Sequence, residues 1–433
     1  MIGIFRKTLN HNSLDIKLAA LQAVSNYLQT VEQKDVKPLN QLIPDMYNVI
    51  RAAATEDDEV VLQDALIEFN EIAEIEPKFF QSKFKEIFQN TMDVVGKADF
   101  ANPLIRQQPI EFYVTVVERV PSIVKKDEEL LKQLIELIFK LMIDIDETIE
   151  DEWLKPKEGF NDSGQAEEGE DNVNFGKSCI DKIISAVGEQ KCLPILSQIV
   201  DNTINNDSDW RFKNAALMAF SQVGEYIDDI KNISAMVPIV LSHLKHPNAK
   251  VRHAALHCIG QISDDMTEEF QEEYGAAVLP ALIESLNDPV PRVSAHCCSA
   301  ITNFMDGATE ELIEPHISTI SPILANLMKT GISIQKENSV TAFASTAVVI
   351  KTKFDPHFGE ALDLLLSCLN ENPQPCYKQF RAQTIEAITL ICSGVSPTVF
   401  ATKSSEIIQA MLYIQKSNLD DHDPQRSYLL SAW

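Results

Sequence analysis

Glycine is scarce in this sequence, at 14 of 433 residues, and aromatic side chains make up only 7%. This scarcity, beside many alanines, leucines and isoleucines, favours helix over sheet. No apolar run approaches the ~18 residues that a membrane-spanning helix needs, so no membrane insertion is expected. The sequence also lacks GxSxG, P-loop and GxGxxG motifs, and it therefore predicts neither an enzyme nor a bound cofactor.

Basic residues are in deficit. The chain has 37 lysines and arginines against 64 aspartates and glutamates, which gives a net charge of −27 at pH 7. A surface this acidic repels phosphate backbones, so direct nucleic-acid binding is not expected. The same charge attracts a basic protein partner.

Metal and redox motifs are also missing. None of the eight cysteines forms a CxxC pair, and free cysteines within apolar helical patterns are typical of a reducing compartment. His253 and His257 lie four residues apart, a spacing that can bind zinc. No third ligand accompanies them, so no metal site is predicted.

A helical repeat organises the chain. The stretches FKNAALMAFSQVGE (212–225), VRHAALHCIGQISD (251–264) and VSAHCCSAITNFMD (293–306) carry apolar residues at the first position and five, eight and eleven positions later. The pattern occurs nine times, and successive copies are 37 to 45 residues apart, with one gap of 70. HEAT and armadillo arrays have periods of ~40–47 residues. The markers, taken five positions after the first, are Leu21, Leu66, Ile110, Ile180, Leu217, Leu256, Cys298, Val340 and Ile385.

Each repeat is predicted to be a pair of antiparallel helices, A and B. Pro238, Pro280 and Pro322 each lie 18 residues before a marker, and Pro194 lies in a similar stretch. A proline inside a helix bends it, while HPNAK and NDPVPR supply the turn between helices. Bent A helices are typical of HEAT repeats. The predicted fold is an all-α HEAT-repeat solenoid, a right-handed superhelix of antiparallel helix pairs.

The long gap between markers predicts an insertion. We assign about three repeats to residues 1–145, an acidic insertion to 146–172, about six repeats to 173–419, and the start of a further, truncated repeat to 420–433. Because the last residues begin a turn and a B helix and then stop, we expect this chain to be an interior slice of a longer solenoid.

Two polar rows follow one face of the B helices. Positions ten and thirteen of the pattern lie opposite the core stripe at 100° per residue, and in a HEAT solenoid this face lines the concave surface. Amides and carboxylates there can accept hydrogen bonds from a peptide rich in lysine and arginine. An ordinary solvated helix face is the alternative interpretation. The candidate binding residues are Gln222, Glu225, Gln261, Asp264, Asn303 and Asp306.

Several stretches resemble the karyopherin-β, or importin-β, family, and in particular its importin-five branch. They are NNDSDWRFKNAALMAFSQVGE (205–225), HPNAKVRHAALHCIGQIS (246–263), AITNFMDG (300–307) and DHDPQRSYLLSAW (421–433). The similarity runs along nearly the whole chain and includes an acidic segment with a tryptophan, here Trp153. Generic HEAT proteins share the VRxAA core but neither DWRFKNAALMA nor DPQRSYLLSAW.

The resemblance implies a nuclear import receptor that shuttles between cytoplasm and nucleus. It implies basic protein cargo, regulation by Ran-GTP and contact with nucleoporins; we further expect a monomer. In this branch the inner B helices of the middle repeats bind a lysine-containing localisation signal, and the matching positions are Glu225, Asp264 or Asp265, and Asn303. The repeats that carry most of the family's Ran contact precede Met1, so Ran binding by this chain alone is left open.

The acidic insertion has 11 acidic residues and two lysines between Asp146 and Asp171, and most of it is too hydrophilic to pack. It is interpreted either as a solubilising loop or as a mobile polyanion near the groove, where relatives use such a loop against Ran or cargo. We expect much of 159–172 to lack fixed structure, and Trp153 with Leu154 to dock on a neighbouring helix. The candidate residues are Asp146, Glu147, Glu150, Asp151, Glu152, Trp153, Glu167, Glu168, Glu170 and Asp171.

A second class of function stays open at this point. A HEAT-repeat scaffold, such as a regulatory phosphatase subunit or a chromosome-complex subunit, also binds a fixed protein partner without transport. Sensitivity of partner binding to Ran-GTP separates the two classes.

Overall fold

The computed structural model describes residues 1–95, 104–145, 151–159, 168–206, 208–417 and 419–433. Every regular element within these ranges is a helix, which confirms the all-α prediction. None of the described helices is both long enough and apolar enough to cross a membrane. The chain divides into two compact units, 1–145 with 167–206, and 146–166 with 207–433.

The first unit consists of helix pairs in which the B helices pack against one another in chain order. The helices of this unit are α1 (Ile2–Leu9), α2 (Leu14–Thr30), α3 (Gln33–Val36), α4 (Ile43–Glu56), α5 (Glu59–Ile75), α6 (Phe84–Val95), α7 (Leu104–Arg119), α8 (Ser122–Lys125), α9 (Glu128–Ile143), α11 (Glu168–Val187) and α12 (Glu189–Ile204). Here α2, α5, α7 and α11 are the B helices, and each contacts the next.

The second unit has the same organisation over more repeats. Its helices are α10 (Asp151–Leu154), α13 (Trp210–Phe220), α14 (Met236–His243), α15 (Ala249–Asp265), α16 (Glu269–Ser285), α17 (Pro291–Asp306), α18 (Glu310–Ile313), α19 (Ile317–Thr330), α20 (Ser333–Ile350), α21 (Phe358–Glu371), α22 (Lys378–Gly394), α23 (Pro397–Lys416) and α24 (Gln425–Ala432). The B helices α13, α15, α17, α20, α22 and α24 form one layer in this order, and each A helix packs on its own B helix.

The repeat pattern locates the core correctly. Each of the nine marker residues lies in a helix, and none of them is more than 3% exposed. On α15 the core stripe runs through Val251, Ala255, Ile259 and Ile262, all at most 2% exposed. An apolar stripe of this width lets a helix bury one side against its partners, so every repeat depends on its neighbours for a complete core.

The prediction that these prolines lie inside the A helices holds in part. Pro194, Pro280 and Pro322 lie inside α12, α16 and α19. Pro238 instead lies in the first turn of α14, where a missing N–H costs no hydrogen bond. A further proline, Pro109, lies inside the B helix α7, and the repeat pattern gave no sign of it.

An ion pair joins successive repeats near the turns. Arg252 on α15 donates two hydrogen bonds to the Asp288 carboxylate, at 2.6 and 3.0 Å, and donates a third to the backbone oxygen of His246 at 2.9 Å. The Asp288 side chain is only 7% exposed. This bidentate pair ties α15 to the turn that precedes α17, and α15 and α17 carry most of the candidate site.

Candidate functional site

The predicted carboxylates come together along one edge of the B-helix layer in the second unit. Asp264 lies at the end of α15 and Asp306 is the last residue of α17, and both side chains are exposed. Glu225 is exposed as well, but it lies in the 3₁₀ turn Gly224–Tyr226 and not on a B helix. We call Glu225, Asp264 and Asp306 the carboxylate row.

The early end of α13 corrects the prediction that Glu225 and Gln222 continue a B helix. After Phe220 the backbone tightens to three-residue hydrogen bonds, from Gln222 to Ala219 and from Val223 to Phe220. Gly224 is the close-packed point of this turn, because a Cβ there would lie 2.8 Å from an Asp265 carboxylate oxygen. A tighter winding shifts the angular position of the residues that follow it.

Asp264 and Asp265, between which the sequence left the choice open, have different environments. Asp265 is half-buried and accepts a hydrogen bond from Gln261 Nε2 at 2.7 Å and another from the backbone N–H of Glu225. Burial raises the pKa of the Asp265 carboxyl, with the charges of Asp264 and Glu225 acting in the same direction. Asp265 therefore holds the turn that carries Glu225, while Asp264 presents its carboxylate to solvent.

The charges of the row act on one another. Burial raises the pKa of Asp306, and the negative charge of Asp264 on the neighbouring helix raises it further. Asp264 thus contributes to the raised pKa values on both sides of it, at Asp265 and at Asp306. Mutual repulsion of this kind shows that the carboxylates share one region of negative potential, which a cationic ligand would relieve.

The three amides beside the row are held by hydrogen bonds through their nitrogen atoms. Asn303 Nδ2 donates to the backbone oxygen of Gly260 at 3.1 Å, and Gln222 Nε2 donates to Ser221 Oγ at 2.9 Å. Gln261 donates to Asp265, as described above. Since an amide oxygen has two lone pairs, each side chain retains acceptor capacity for a lysine or arginine.

Close packing of α15 on α17 sets the spacing within the row. Gly260 on α15 faces Ala300 on α17, and a Cβ at position 260 would lie 3.2 Å from Ala300 Cα. The absence of a side chain therefore permits this close backbone approach. It also brings Asn303 within hydrogen-bonding distance of Gly260, so the geometry of the row depends on this glycine.

The acidic insertion is described only in part. Asp146, Glu147, Glu150 and Glu167 lie outside the described residues, as does 160–167, which holds most of the segment expected to lack fixed structure. Asp151 and Glu152 are exposed on α10, and the backbone of Glu168, Glu170 and Asp171 forms the start of α11. Trp153 is 1% exposed and packs on side chains of α15 and α17.

Sequence reasoning missed the residues that surround Trp153. Lys250, His253 and Arg292 contact the indole ring although they lie about 100 or more positions along the chain. No local pattern links residues so far apart. His253 also stacks on His296, with ring centroids 4.1 Å apart, and His257 lies on the other end of the same stack. Within the described part of the chain, no group of three ligating side chains could hold a metal ion.

Acidification should weaken the binding of a lysine-only peptide, and the loss should begin at a pH above the ordinary aspartate pKa of ~3.9. Asp265 and Asp306, whose pKa values are raised by burial, take up protons before ordinary carboxyls do, and the lysines of the peptide stay charged. The same raised pKa values mean that these two carboxyls favour the folded state more as the pH falls. Loss of binding would therefore not reflect their effect on folding.

Fluorescence anisotropy at constant ionic strength measures this pH profile. Asp306→Asn serves as the matched variant, because it removes one titrating group at the row and should flatten the profile. An affinity that stays constant as the pH falls from neutrality toward the ordinary aspartate pKa would contradict the assignment of the carboxylate row to the binding surface.

Three family models match parts of this chain between residues 1 and 345. The family model described as "IPO5-like, TPR repeats" matches residues 1–90, and "Importin repeat" matches residues 99–194. The model described as "Stalled ribosome sensor GCN1-like, HEAT repeats" matches residues 190–345, which include the carboxylate row.

Relatives of known sequence are considerably longer than this chain. Importin subunit beta-3 of Saccharomyces cerevisiae is 26% identical over 438 aligned residues, which cover 100% of this chain and 39% of that protein. Importin-4 of Mus musculus is 22% identical over 66% of this chain and 26% of that protein. The chain thus spans about two fifths of the length of the first of these relatives.

Solved structures share the fold. Crystal structures of Kap121p align with 100% of this chain and 41% of that protein, with a TM-score of 0.89 and 24% sequence identity. Complexes of Kap121p with Pho4p and with Nup53p align equally well, each with a TM-score of 0.88. This likeness confirms the HEAT-repeat solenoid fold.

Proposed function

The chain belongs to the karyopherin-β (importin-β) family, and we propose that it is the segment of a nuclear import receptor that binds basic, lysine-containing localisation signals. The observation that carries this proposal is the carboxylate row. Glu225 and Asp264 are exposed, and Asp306 follows at the end of the next B helix. Extended peptides rich in lysine can reach several carboxylates spaced in this way.

Two features make the row a better binding surface than an ordinary solvated face. First, burial raises the pKa values of Asp265 and Asp306, and repulsion from neighbouring carboxylates raises them further. A cation bound among these carboxylates therefore gains more than it would beside a single acid. Second, Asp265 and Asn303 are fixed by hydrogen bonds to neighbouring elements. Preorganised acceptors lose little entropy when a ligand binds.

Related structures agree with this proposal. Kap121p has been crystallised with Pho4p and with Nup53p, and also as a variant in which three acidic residues are replaced by lysine. For this chain we propose basic protein cargo and nucleoporins as partners, with Ran-GTP as the regulator of the full-length receptor. On this proposal the receptor is a monomer that shuttles through nuclear pores between cytoplasm and nucleus.

A fixed-partner scaffold remains the second candidate, because residues 190–345 also match HEAT repeats of the ribosome-sensor type. That function needs the same stacked helices but no Ran-dependent release. The two candidates therefore differ in regulation, while both use the B-helix face for a protein partner.

The deciding experiment is a fluorescence-anisotropy titration with a lysine-rich peptide and with the same peptide carrying glutamine at each lysine. We expect the lysine peptide alone to bind, and its affinity to fall as salt is raised, since the screening length is ~8–10 Å near physiological ionic strength. Ran-GTP should displace the peptide from a full-length receptor containing this chain, and less from the chain alone. Equal binding of both peptides would refute the cargo site. Binding that Ran-GTP leaves unchanged in the full-length receptor would favour the scaffold.

A further inference from the structure

The short segment 151–159 of the insertion lies against B helices of the second unit. Of its nine residues only Trp153 and Pro156 are buried, and Asp151 and Glu152 on one side, with Lys157 on the other, are exposed. Trp153 is among the largest fully buried side chains of the described chain. A segment that inserts one large side chain and leaves its flanks in solvent resembles a bound peptide more than a core element.

The pocket around Trp153 is built from cations and an imidazole. Lys250 Nζ lies 5.0 Å and Arg292 Cζ lies 5.3 Å from the ring centroid. His253 meets the indole at a ring angle of 73° and a centroid distance of 5.7 Å. Burial lowers the pKa of His253 well below its usual value, and the neighbouring His296 adds to this effect. The imidazole is thus neutral, and Lys250 and Arg292 supply the positive charge that an aromatic face attracts.

A second anchor fixes the end of the segment at α20. The backbone N–H of Ser333 donates to Glu158 Oε1 at 2.8 Å, and the backbone N–H of Gly159 donates to Ser333 Oγ at 3.0 Å. Gly159 adopts a φ of +82°. It also packs closely on Cys376, since an added Cβ at position 159 would lie 3.3 Å from the Cys376 Cβ. The carboxylate of Glu158 thus sits at the amino end of a helix, where a negative charge is favoured.

We propose that the Lys250–His253–Arg292 pocket is a binding site for a tryptophan in a peptide of the Asp-Glu-Trp-Leu type, and that residues 151–159 are its resident, exchangeable ligand. Because residues 151–159 belong to the same chain as the pocket, their effective concentration at the pocket is high. A separate peptide could make the same contacts without a covalent link. A partner that presents tryptophan beside carboxylates can occupy the pocket whenever the insertion leaves it.

The charge of the pocket separates it from the carboxylate row on the same helices. His253 and Gln261 lie eight residues, or about 12 Å, apart along α15. The row attracts lysine, whereas Lys250 and Arg292 favour carboxylates next to an aromatic ring. In a chain with a net charge of −27, such a pocket selects a ligand that the rest of the surface repels. The proposal is therefore independent of the cargo site.

The test uses the full chain with residues 151–159 replaced by a Gly/Ser linker of equal length, which empties the pocket. A fluorescent peptide, DEWLKPKEG, should bind this linker variant at least about tenfold more tightly than wild type, because the tethered segment competes with it in wild type. Replacing the peptide's tryptophan with leucine should weaken binding about tenfold, since leucine has no ring face for the two cations. Adding Arg292→Met to the linker variant should also weaken binding of the tryptophan peptide about tenfold.

Three results would overturn the proposal: equal binding to wild type and linker variant, equal binding of the tryptophan and leucine peptides, or no binding to a linker variant whose circular dichroism and melting match wild type. Should the linker variant not fold, Trp153 is observed as the sole tryptophan in a Trp210→Phe/Trp433→Phe background. Lys250→Ala with Arg292→Met should then shift its emission to longer wavelength, and an unchanged spectrum would equally refute the pocket.

Discussion

Replacing Glu225 and Asp264 together with lysine is expected to weaken the binding of a lysine-rich peptide by at least about a hundredfold, or ~2.7 kcal/mol. Each carboxylate can make charge-assisted hydrogen bonds worth ~1.5–3 kcal/mol when partly desolvated. The substitution also puts two cations where the peptide's cations bind, so repulsion replaces attraction. Both side chains are exposed, and neither belongs to the buried core, so the fold should tolerate the change.

Anisotropy titrations of wild type and the double variant measure this effect. The matched control is Glu272→Lys with Glu360→Lys, which changes the net charge equally but on the exposed sides of the A helices α16 and α21. We expect the control to lose no more than a few-fold in affinity through the long-range potential, which salt screens. Equal losses in the two double variants would mean that the peptide responds to net charge and not to the carboxylate row.

The fold could be predicted from the sequence because its structural repeat appears as a regular spacing of apolar residues along the chain. A HEAT repeat buries the same positions in every copy, so apolar residues recur at a spacing that the chain displays directly. Cys298 and Val340, for example, are 42 residues apart and both fully buried. Proline at a constant distance before the marker added a second, independent regularity, and the structure departs from it only at Pro238.

The candidate site could be predicted from the sequence only as a list of residue positions, without their arrangement in space. Its angular arrangement depends on how each B helix ends, and α13 ends before Glu225, ahead of a turn in which Gly224 packs closely on Asp265. Likewise, nothing in the sequence distinguishes Asp264 from Asp265, because the difference lies in a hydrogen bond from the Glu225 backbone. Trp153 could be identified as an anchor from its apolar character. Its pocket could not, because Lys250 and Arg292 become its neighbours only through tertiary packing.

Gly260→Val is expected to destabilise the second unit by about 2 kcal/mol and to weaken peptide binding as well. A Cβ at this position would lie 3.2 Å from Ala300 Cα and 3.4 Å from Ala300 Cβ, and backbone atoms of a packed helix cannot yield as a flexible side chain does. Overpacking of this kind typically costs ~1–3 kcal/mol. Moving α17 away from α15 also lengthens the hydrogen bond from Asn303 to Gly260 and shifts Asp306 relative to Asp264.

Gly359→Val provides the control, because Gly359 also lies in a helix, α21, and a Cβ there would meet nothing within 4 Å. Both substitutions restrict the unfolded chain in the same way, although Gly359 lies in the first turn of its helix and Gly260 in a helix interior. Since valine in place of glycine does not lower the propensity of a helix interior, a lower stability of Gly260→Val reports the contact with Ala300. Urea denaturation followed by circular dichroism gives the stability, and anisotropy gives the affinity. If Gly260→Val were as stable as Gly359→Val, the close approach of α15 and α17 would not be a fixed feature of the protein. If it were destabilised but bound the peptide normally, the carboxylate row would not depend on the spacing of these two helices.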